Sequence, residues 1–368
     1  MTHVQIVRRQ NGTLAGLFDP RANGLNLVRL ALAVTVIIWH SFPLSGNSIS
    51  FAPMRQFLEN VSVDGFFAIS GFLIVSSWMR HPRPIPYVRA RALRIFPAFW
   101  VCLGVTALVA APLGTLFVTG IWPGWSLESV TYILKNSALW IFQLGIDGTP
   151  ANVAFPGVWN GSLWTLWWEF MCYLAVLVLG VLGLLHRKSA IPLLFGLATA
   201  GVLLTAYGPF HNFYLTHGVR FGVMFLAGAL VLRLASVLPL SWLSVGASFA
   251  VFLFSLAMQD YRLVGAFPLA YSMIGAGALL KSPWARMRND FSYGTYIYAF
   301  PVQQVMASAG VASFGVPIFA ALSFALTAPL AILSWFLIER NALRLKWKKG
   351  RLGTSDTDSG VAFASQNH

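Results

Sequence analysis

Long apolar runs separated by short polar segments make up most of the chain. A helix needs about 20 apolar residues to cross the hydrocarbon core of a bilayer. Windows of that length recur and predict ten membrane-spanning helices, near residues 25–43, 62–79, 95–119, 162–185, 190–207, 218–236, 241–258, 262–280, 291–311 and 314–339. The pattern therefore predicts an all-α, polytopic transmembrane helix bundle of about ten spans.

The longest connection between these spans, residues 120–161, is rich in Trp, Gly and Pro. Within it, residues 127–145 form an amphipathic stretch. Such a stretch lies along the membrane interface, re-enters the protein or forms a short eleventh span. The pattern alone leaves these three alternatives open.

Three segments are predicted along the chain. Residues 1–21 form a cytoplasmic amino-terminal segment, residues 22–345 the membrane domain, and residues 346–368 a basic and then polar tail that we expect to be disordered. The amino-terminal segment is polar and basic for too long to be a signal peptide, and no small-residue cleavage site ends the first apolar run. We therefore expect that run to remain as the first span.

The basic residues predict the orientation. With ten spans and both termini in the cytoplasm, Arg29 lies within a span, Arg55, Lys135, Arg220 and Arg262 lie outside, and the other 20 of the 25 Lys and Arg residues lie inside. This asymmetry follows the positive-inside rule. The net charge of +14 is then explained by topology and by contact with anionic membrane lipid, so nucleic-acid binding is a poor interpretation.

Composition supports a membrane protein. The chain is 57% hydrophobic and 10% charged, whereas soluble domains carry about 25% charged residues. Cys102 and Cys172 both lie in apolar runs, where packed thiols are expected, and no His or Cys cluster has metal-ligand spacing. We predict no metal site and no tightly bound cofactor.

The first predicted span carries an unusual pair, Arg29 and His40. Eleven positions at 100° each amount to three turns plus about 20°, so both side chains share one helix face, separated by roughly 16 Å along the axis. Ionisable residues in a membrane helix are costly unless they line a polar cavity, and they are a functional-site hypothesis by default. The pair predicts chemistry or transport within the bilayer.

Two carboxylates are expected at a depth similar to that of His40. Asp64 is predicted at the outer, amino-terminal end of the second span, where a helix favours negative charge. Glu169 follows Ser162 by seven residues, about 10 Å into the fourth span. If the first, second and fourth spans pack together, His40, Asp64 and Glu169 form one site.

A basic segment with aromatic neighbours lies between the second and third predicted spans. Arg89, Arg91 and Arg94 approach the third span, with Tyr87 and Phe96 close by. Guanidiniums beside aromatic rings suit a ligand that carries phosphates and a base and arrives from the cytosol. The alternative interpretation is that these arginines only determine topology.

An ordered set of motifs resembles the membrane acyltransferase-3 family. The run with Arg29 and His40 is followed by DGFFAISGFL at 64–73, RARALRIFP at 89–97, SLWTLWWEFMCYL at 162–174, SYGTYIYAFPV at 292–302 and WFLIERN at 335–341. The resemblance covers about residues 22–345, and the set is specific although each motif alone is weak. It implies that residues 22–345 form a membrane acyltransferase domain.

The resemblance also implies roles for particular residues. The family's arginine and histidine separated by ten residues correspond to Arg29 and His40, and its buried glutamate with the following tyrosine to Glu169 and Tyr173. Its ISGF segment and its arginine-rich loop belong, together with that tyrosine, to a set expected to bind the donor, which comprises Ser70, Gly71, Arg89, Arg91, Arg94 and Tyr173. The chain departs from the common pattern at Ala299, where many members carry histidine, and at Asn341, where many carry proline. The first departure puts in doubt a catalytic role for the ninth span.

The implied activity is transfer of an acyl group, most often acetyl, from cytoplasmic acyl-CoA to a hydroxyl of a cell-surface polysaccharide or its lipid-linked precursor. In this hypothesis His40 acts as general base or accepts the acyl group itself. Glu169 or Asp64 orients the imidazole, and Arg29, Ser70 or an indole steadies the oxyanion. The implied location is the bacterial inner membrane, with polysaccharide assembly proteins as partners. A small-molecule or glycolipid acceptor, such as a macrolide, is an alternative, and a transporter or exporter is the alternative from another class.

Overall fold

The computed structural model describes residues 12–209 and 212–345, and within these ranges its regular structure is helical, without a strand. The predicted tail at residues 346–368 lies outside the described residues, as do residues 1–11 of the predicted amino-terminal segment 1–21. The helices are α1 (Leu14–Leu17), α2 (Leu25–Leu44), α3 (Ala52–Arg80), α4 (Pro84–Thr119), α5 (Leu127–Asn136), α6 (Thr165–Val181), α7 (Ala190–Tyr207), α8 (Phe213–Arg233), α9 (Trp242–Ser255), α10 (Arg262–Leu279), α11 (Ser292–Ser308) and α12 (Val316–Arg344).

Each of the ten predicted apolar runs corresponds to one helix of the described structure. Seven of these helices, α2, α3, α4, α7, α8, α10 and α12, are long and apolar enough to cross a membrane. The helices α6 and α9 are apolar but shorter, and α11 has 17 residues. The fold is an all-helical bundle of an integral membrane protein.

Two helices begin earlier than the hydrophobic pattern indicates. Helix α3 starts at Ala52 rather than near residue 62, and α4 starts at Pro84 rather than near residue 95. Each has proline in its first turn, where the fixed φ of the ring suits a helix start. The prediction that Asp64 caps the amino end of its helix is therefore wrong, because Asp64 lies twelve residues inside α3. The basic segment likewise forms the first turns of α4 rather than a loop.

The amphipathic stretch at 127–145 contains a helix that is too short to span. Helix α5 has 10 residues and rises about 15 Å, half of the hydrocarbon thickness of roughly 30 Å. After it, the side chain of Asn136 accepts the backbone N–H of Phe142 (2.9 Å) and donates to the carbonyl of Gln143 (2.8 Å), which turns the chain back. Among the three alternatives, the spanning one is excluded.

Helix α3 lies at the centre of the bundle and packs on α2, α6, α8 and α10. Its crossing with α8 depends on two glycines. A Cβ on Gly71 would lie 1.9 Å from the carbonyl oxygen of Phe225, and one on Gly228 would lie 1.8 Å from that of Ala68. Small residues allow helix backbones to approach this closely in membranes. Gly71 therefore has a packing role in this structure.

Helix α11 completes the arrangement by packing against α2, α4 and α12. Helices α2, α3, α4, α6 and α11 together surround a row of cavities along the interior of the bundle.

Candidate active site

The first of these cavities, which we call the histidine cavity, has a volume of about 190 Å³. It brings His40 of α2 together with residues from α3, α6, α8, α11 and the segment before α6. The lining side chains include Trp39, His40, Glu59, Ser62, Ser162, Trp164, Thr165, Arg220 and Tyr296. Because Glu59 is exposed, this cavity reaches the surface of the protein.

The imidazole of His40 is positioned by an aromatic neighbour. The ring of Phe300 packs edge-on against it, with the ring centroids 5.0 Å apart. The Nδ1 atom of His40 is buried and has no hydrogen-bond partner among the described residues. The ring is therefore held by packing at the wall of the histidine cavity.

At the other end of the row lies a second space, the basic cavity, of about 240 Å³. It collects guanidiniums from three parts of the chain, and its lining side chains include Asn26, Arg29, Ser70, Arg91, Arg94, Tyr173, Arg288 and Asp290. The Nε atom of Arg91 is buried and unpaired within the described ranges. The guanidinium of Arg91 lies 5.9 Å from the centre of the Tyr173 ring. This cavity can bind an anion.

An ionic network crosses the basic cavity. One carboxylate oxygen of Asp290 contacts Arg29 and also lies 2.5 Å from Arg94, which in turn lies 3.4 Å from Glu339. The same side chain accepts the backbone N–H of Ser292 at 3.2 Å. Burial raises the pKa of Asp290, but the two guanidiniums and Ser292 outweigh it and lower this pKa to about 2. The network joins α2, α4, α12 and the start of α11.

A small central cavity of about 30 Å³ lies between the other two. It shares Arg29 with the basic cavity, and it shares Val63, Thr165 and Tyr296 with the histidine cavity. Arg29 and His40 therefore face the same row of cavities, as their spacing on one helix face predicts. The narrowest part of the row lies between them.

Glu169 lines the central cavity. Its carboxylate accepts hydrogen bonds from the hydroxyl of Tyr173 and from that of Ser70, the latter at 3.1 Å. The resemblance had placed these three residues at the site, and the structure brings them into contact. Among the described hydrogen bonds, none joins Glu169 to His40.

Asp64 is fully buried in a separate cluster. It accepts hydrogen bonds from Tyr261, from the Nε of Arg262 (2.6 Å) and from the Nε of Arg220 (3.3 Å). These contacts join α3, α8 and α10. Asp64 does not line any of the three cavities, and only Arg220 extends from this cluster into the histidine cavity.

Arg89 also lies apart from the cavities. Its guanidinium donates to the carbonyl of Leu345 at 2.9 Å. Of the three arginines predicted to bind the donor, only Arg91 and Arg94 line the basic cavity.

Comparison with known proteins decides the family. A model of the acyltransferase-3 family, described as an acyltransferase domain, matches residues 22–338. The chain belongs to the acyltransferase-3 family. The match spans most of the chain and includes nearly all residues that line the three cavities, so the enzyme is a membrane acyltransferase.

Three curated proteins are similar to this chain over most of its length. The chain is 28% identical over 334 residues to an O-acetyl transferase of Shigella phage Sf6, covering 88% of this chain and 96% of that protein. It is 28% identical over 361 residues to Nodulation protein 10 of Rhizobium leguminosarum bv. viciae, covering 88% and 94%. It is 26% identical over 307 residues to the exopolysaccharide production protein ExoZ of Rhizobium meliloti, covering 77% and 89%. No solved structure matches the chain significantly.

Several residues of this acyltransferase site were missed in the sequence. Tyr296 lines two cavities, although the departure at Ala299 had put a role for its helix in doubt. Asp290 bridges Arg29 and Arg94. A signal for Asp290 was present, because it is the only acidic residue among the basic residues of the 281–291 segment. Ser162 and Arg220 gave no such signal, since their place depends on how distant helices pack.

Proposed function

We propose that this acyltransferase moves an acetyl group from cytoplasmic acetyl-CoA to a hydroxyl of a cell-surface or extracellular polysaccharide, or of its lipid-linked precursor, at the inner membrane of a bacterium. One observation carries the proposal. The row of three cavities places a cluster of guanidiniums at one end and a histidine with an unpaired ring nitrogen at the other.

The basic cavity is the proposed site for the phosphates of the donor. Guanidiniums form strong, often bidentate hydrogen bonds with phosphate oxygens. Arg91 has an unpaired Nε, and Arg288 is exposed at this cavity. The negative charge of the donor then binds there, while its flexible thioester arm extends past Arg29 toward His40.

The proposed chemistry takes place in the histidine cavity. His40 removes the proton from the acceptor hydroxyl as the hydroxyl oxygen attacks the thioester carbonyl carbon. A carbon–oxygen bond forms, the carbon–sulfur bond breaks, and the proton passes from the imidazolium to the departing thiolate of CoA. An acetyl-histidine formed at His40 and then transferred is a second route to the same products.

Glu169 has an organising part in this proposal. Its bond to Ser70 ties α6 to α3 beside the narrowest part of the row, and its bond to Tyr173 on the same helix fixes the carboxylate. The geometry favours this part over direct orientation of His40, because the ring of His40 packs against Phe300 instead.

The names of the relatives support the proposed substrates. One relative is an O-acetyl transferase, and another is an exopolysaccharide production protein. A hydroxyl-bearing glycan is therefore the acceptor we propose.

A labelling experiment tests this function. Membrane vesicles from cells with and without the protein receive acetyl-CoA carrying ¹⁴C in the acetyl group, and label in the glycan and lipid-linked glycan fractions is counted. Protein-dependent label in an alkali-labile ester is the expected result. A transporter moves label across the membrane without forming the ester, and that outcome would refute the proposal.

The orientation has its own test. A reporter fused after residue 351 is expected on the cytoplasmic side, with the basic cavity. An extracytoplasmic signal would place the donor site on the wrong side of the membrane for cytosolic acetyl-CoA.

A further inference from the structure

Transfer through a tetrahedral intermediate requires a hydrogen-bond donor for the carbonyl oxygen, which becomes negative as the acceptor attacks. Two candidates named from the sequence are already engaged. Ser70 donates to Glu169, and Arg29 is paired with Asp290. Both also line the basic cavity rather than the histidine cavity. These two residues therefore do not serve the reacting carbonyl beside His40.

We propose that the hydroxyl of Ser162 donates the hydrogen bond that stabilises this oxyanion. This inference rests on the proposed function and adds a catalytic residue to it. Ser162 is 2% exposed and lines the histidine cavity together with His40. Its Oγ is buried and has no hydrogen-bond partner among the described residues. An unpaired buried hydroxyl is costly unless a bound molecule completes its hydrogen bonding.

The backbone around Ser162 is fixed on both sides. The N–H of Ser162 donates to the side-chain oxygen of Asn160 at 3.2 Å, and its carbonyl accepts from the hydroxyls of Tyr296 (2.8 Å) and Thr165 (3.2 Å). Asn160 is held in turn by its bond to the carbonyl of Ile297 at 2.9 Å. The peptide is thus immobilised while its hydroxyl stays free. This is the preorganisation that makes an oxyanion donor effective, because little reorganisation is needed during the reaction.

Gly161, the residue before Ser162, lets the 160–162 turn pack against Phe300, the residue that contacts His40. A Cβ on Gly161 would lie 2.7 Å from the ring of Phe300, the same ring that packs edge-on against His40. Gly161 therefore allows the 160–162 turn to approach one part of the Phe300 ring while His40 contacts another. Ser162 and His40 are brought to one cavity by a shared aromatic residue.

The geometry favours an oxyanion donor over a serine nucleophile. A nucleophilic serine needs a base within hydrogen-bonding reach. The Oγ of Ser162 and the Nδ1 of His40 are both unpaired among the described residues, so they do not form such a pair. In the proposed step the Ser162 proton stays on Ser162 and only its hydrogen bond shortens as charge develops. The electron pair returns to the carbonyl when the carbon–sulfur bond breaks.

The test compares Ser162→Ala with a matched serine elsewhere. Ser272 is also buried, but its hydroxyl donates to the carbonyl of Leu269 at 2.9 Å and lines none of the three cavities. Each full-length variant replaces the native protein in its host. Initial rates of ¹⁴C-acetyl transfer to endogenous glycan are then measured in vesicles over a range of acetyl-CoA concentrations. Binding of CoA to the purified variants in detergent is measured by calorimetry.

We expect Ser162→Ala to lower the maximal rate about 100-fold, since loss of one oxyanion donor costs about 10²–10³ in turnover. The KM for acetyl-CoA and the Kd of CoA are expected to stay within twofold of the wild-type values. The melting temperature is expected to stay within a few degrees of that of the wild type. Ser162→Thr keeps the hydroxyl and should retain most of the rate. Ser272→Ala should behave as the wild type.

Three results would overturn the inference. The first is a wild-type rate for Ser162→Ala. The second is a loss that appears in the KM or in CoA binding rather than in the maximal rate. The third is an acetylated Ser162 peptide in the mass spectrum of the quenched enzyme. If the wild type itself transfers no label, the proposed function has failed; if the wild type is active and Ser162→Ala equals it, only the role of Ser162 has failed.

Discussion

The basic cavity and the histidine cavity differ in how their polar groups are used. In the basic cavity, Arg29 and Arg94 are tied to Asp290, and Arg94 is also tied to Glu339. In the histidine cavity, His40 and Ser162 each keep a buried polar atom unpaired within the described part of the chain. In the basic cavity most of the charge is paired and builds a rigid frame, with Arg91 as the exception, whereas in the histidine cavity the unpaired groups are those that we assign to the reacting atoms.

The buried carboxylates are also paired with hydrogen-bond donors. Asp64, Glu169 and Asp290 each accept at least two hydrogen bonds from side chains, and none of these bonds comes from His40. A buried carboxylate needs such donors, because an unpaired buried charge is expensive. These three acids therefore serve the framework, and the proposed mechanism assigns proton transfer to His40.

The largest expected effect is that of His40→Ala. General acid–base catalysis contributes about 10²–10⁴ in rate, and we expect transfer to fall about 10³-fold or more. Insertion and yield should be unchanged, because the side chain makes no hydrogen bond through Nδ1 to the described residues. The measurement is ¹⁴C-acetyl transfer in vesicles.

His186→Ala is the control for that variant, since His186 is exposed and lines none of the three cavities. Turnover by His40→Ala above a tenth of the wild-type rate would remove His40 from the catalytic role and erase the contrast between the two cavities.

Asp64→Ala should lower the stability of the fold, whereas His40→Ala lowers the rate of transfer. It leaves Arg262 and Arg220 without the carboxylate that both contact. Breaking a buried ion pair on one side costs about 3–5 kcal/mol. We expect a large drop in the melting temperature and in the folded yield in detergent. Asp19→Ala, at an exposed position, should change neither. A normal melting temperature for Asp64→Ala would mean that this cluster is not part of the frame.

Asp290 gives a pH-dependent prediction. Its pKa falls from 3.8 to about 2 in the fold, which corresponds to about 2 kcal/mol of stability in the ionised state. Because the folded pKa is the lower one, this contribution is complete above about pH 4 and is lost as the pH falls through about 2.

The comparison is therefore between the wild type and Asp290→Asn. Thermal unfolding in detergent should show Asp290→Asn less stable by about 2 kcal/mol near neutral pH, with the difference shrinking between about pH 4 and pH 2. A difference that stays constant over this range would show that the charge of Asp290 is not what holds Arg29 and Arg94.

Arg91→Ala is expected to have the smallest effect and the most specific one. Loss of one guanidinium from the basic cavity should raise the KM for acetyl-CoA about tenfold, equivalent to about 1.4 kcal/mol, with little change in the maximal rate. Arg89→Ala is a matched control two positions away, because Arg89 bonds to Leu345 outside the cavity. Equal effects of the two variants on the KM would mean that Arg91 does not bind the donor and that the arginines of this segment only determine membrane topology.

The hydrophobic pattern determined the helices, because each long apolar run must satisfy its backbone hydrogen bonds internally in lipid and does so as a helix. It also placed Arg29 and His40 on one face, since their spacing nearly completes whole turns. The start of α3 was misplaced because a hydropathy window does not detect the polar first turns after Pro53.

Only the tertiary structure decided which polar groups meet. Asp64 pairs with arginines 156 and 198 positions away, and Arg29 pairs with an aspartate 261 positions away. Such pairing depends on how closely helices cross, as at Gly71 and Gly228, and on which face each helix turns inward. The local pattern along the chain carries no information on either, so the partners of the charges and the free hydroxyl of Ser162 emerge only when the bundle is packed.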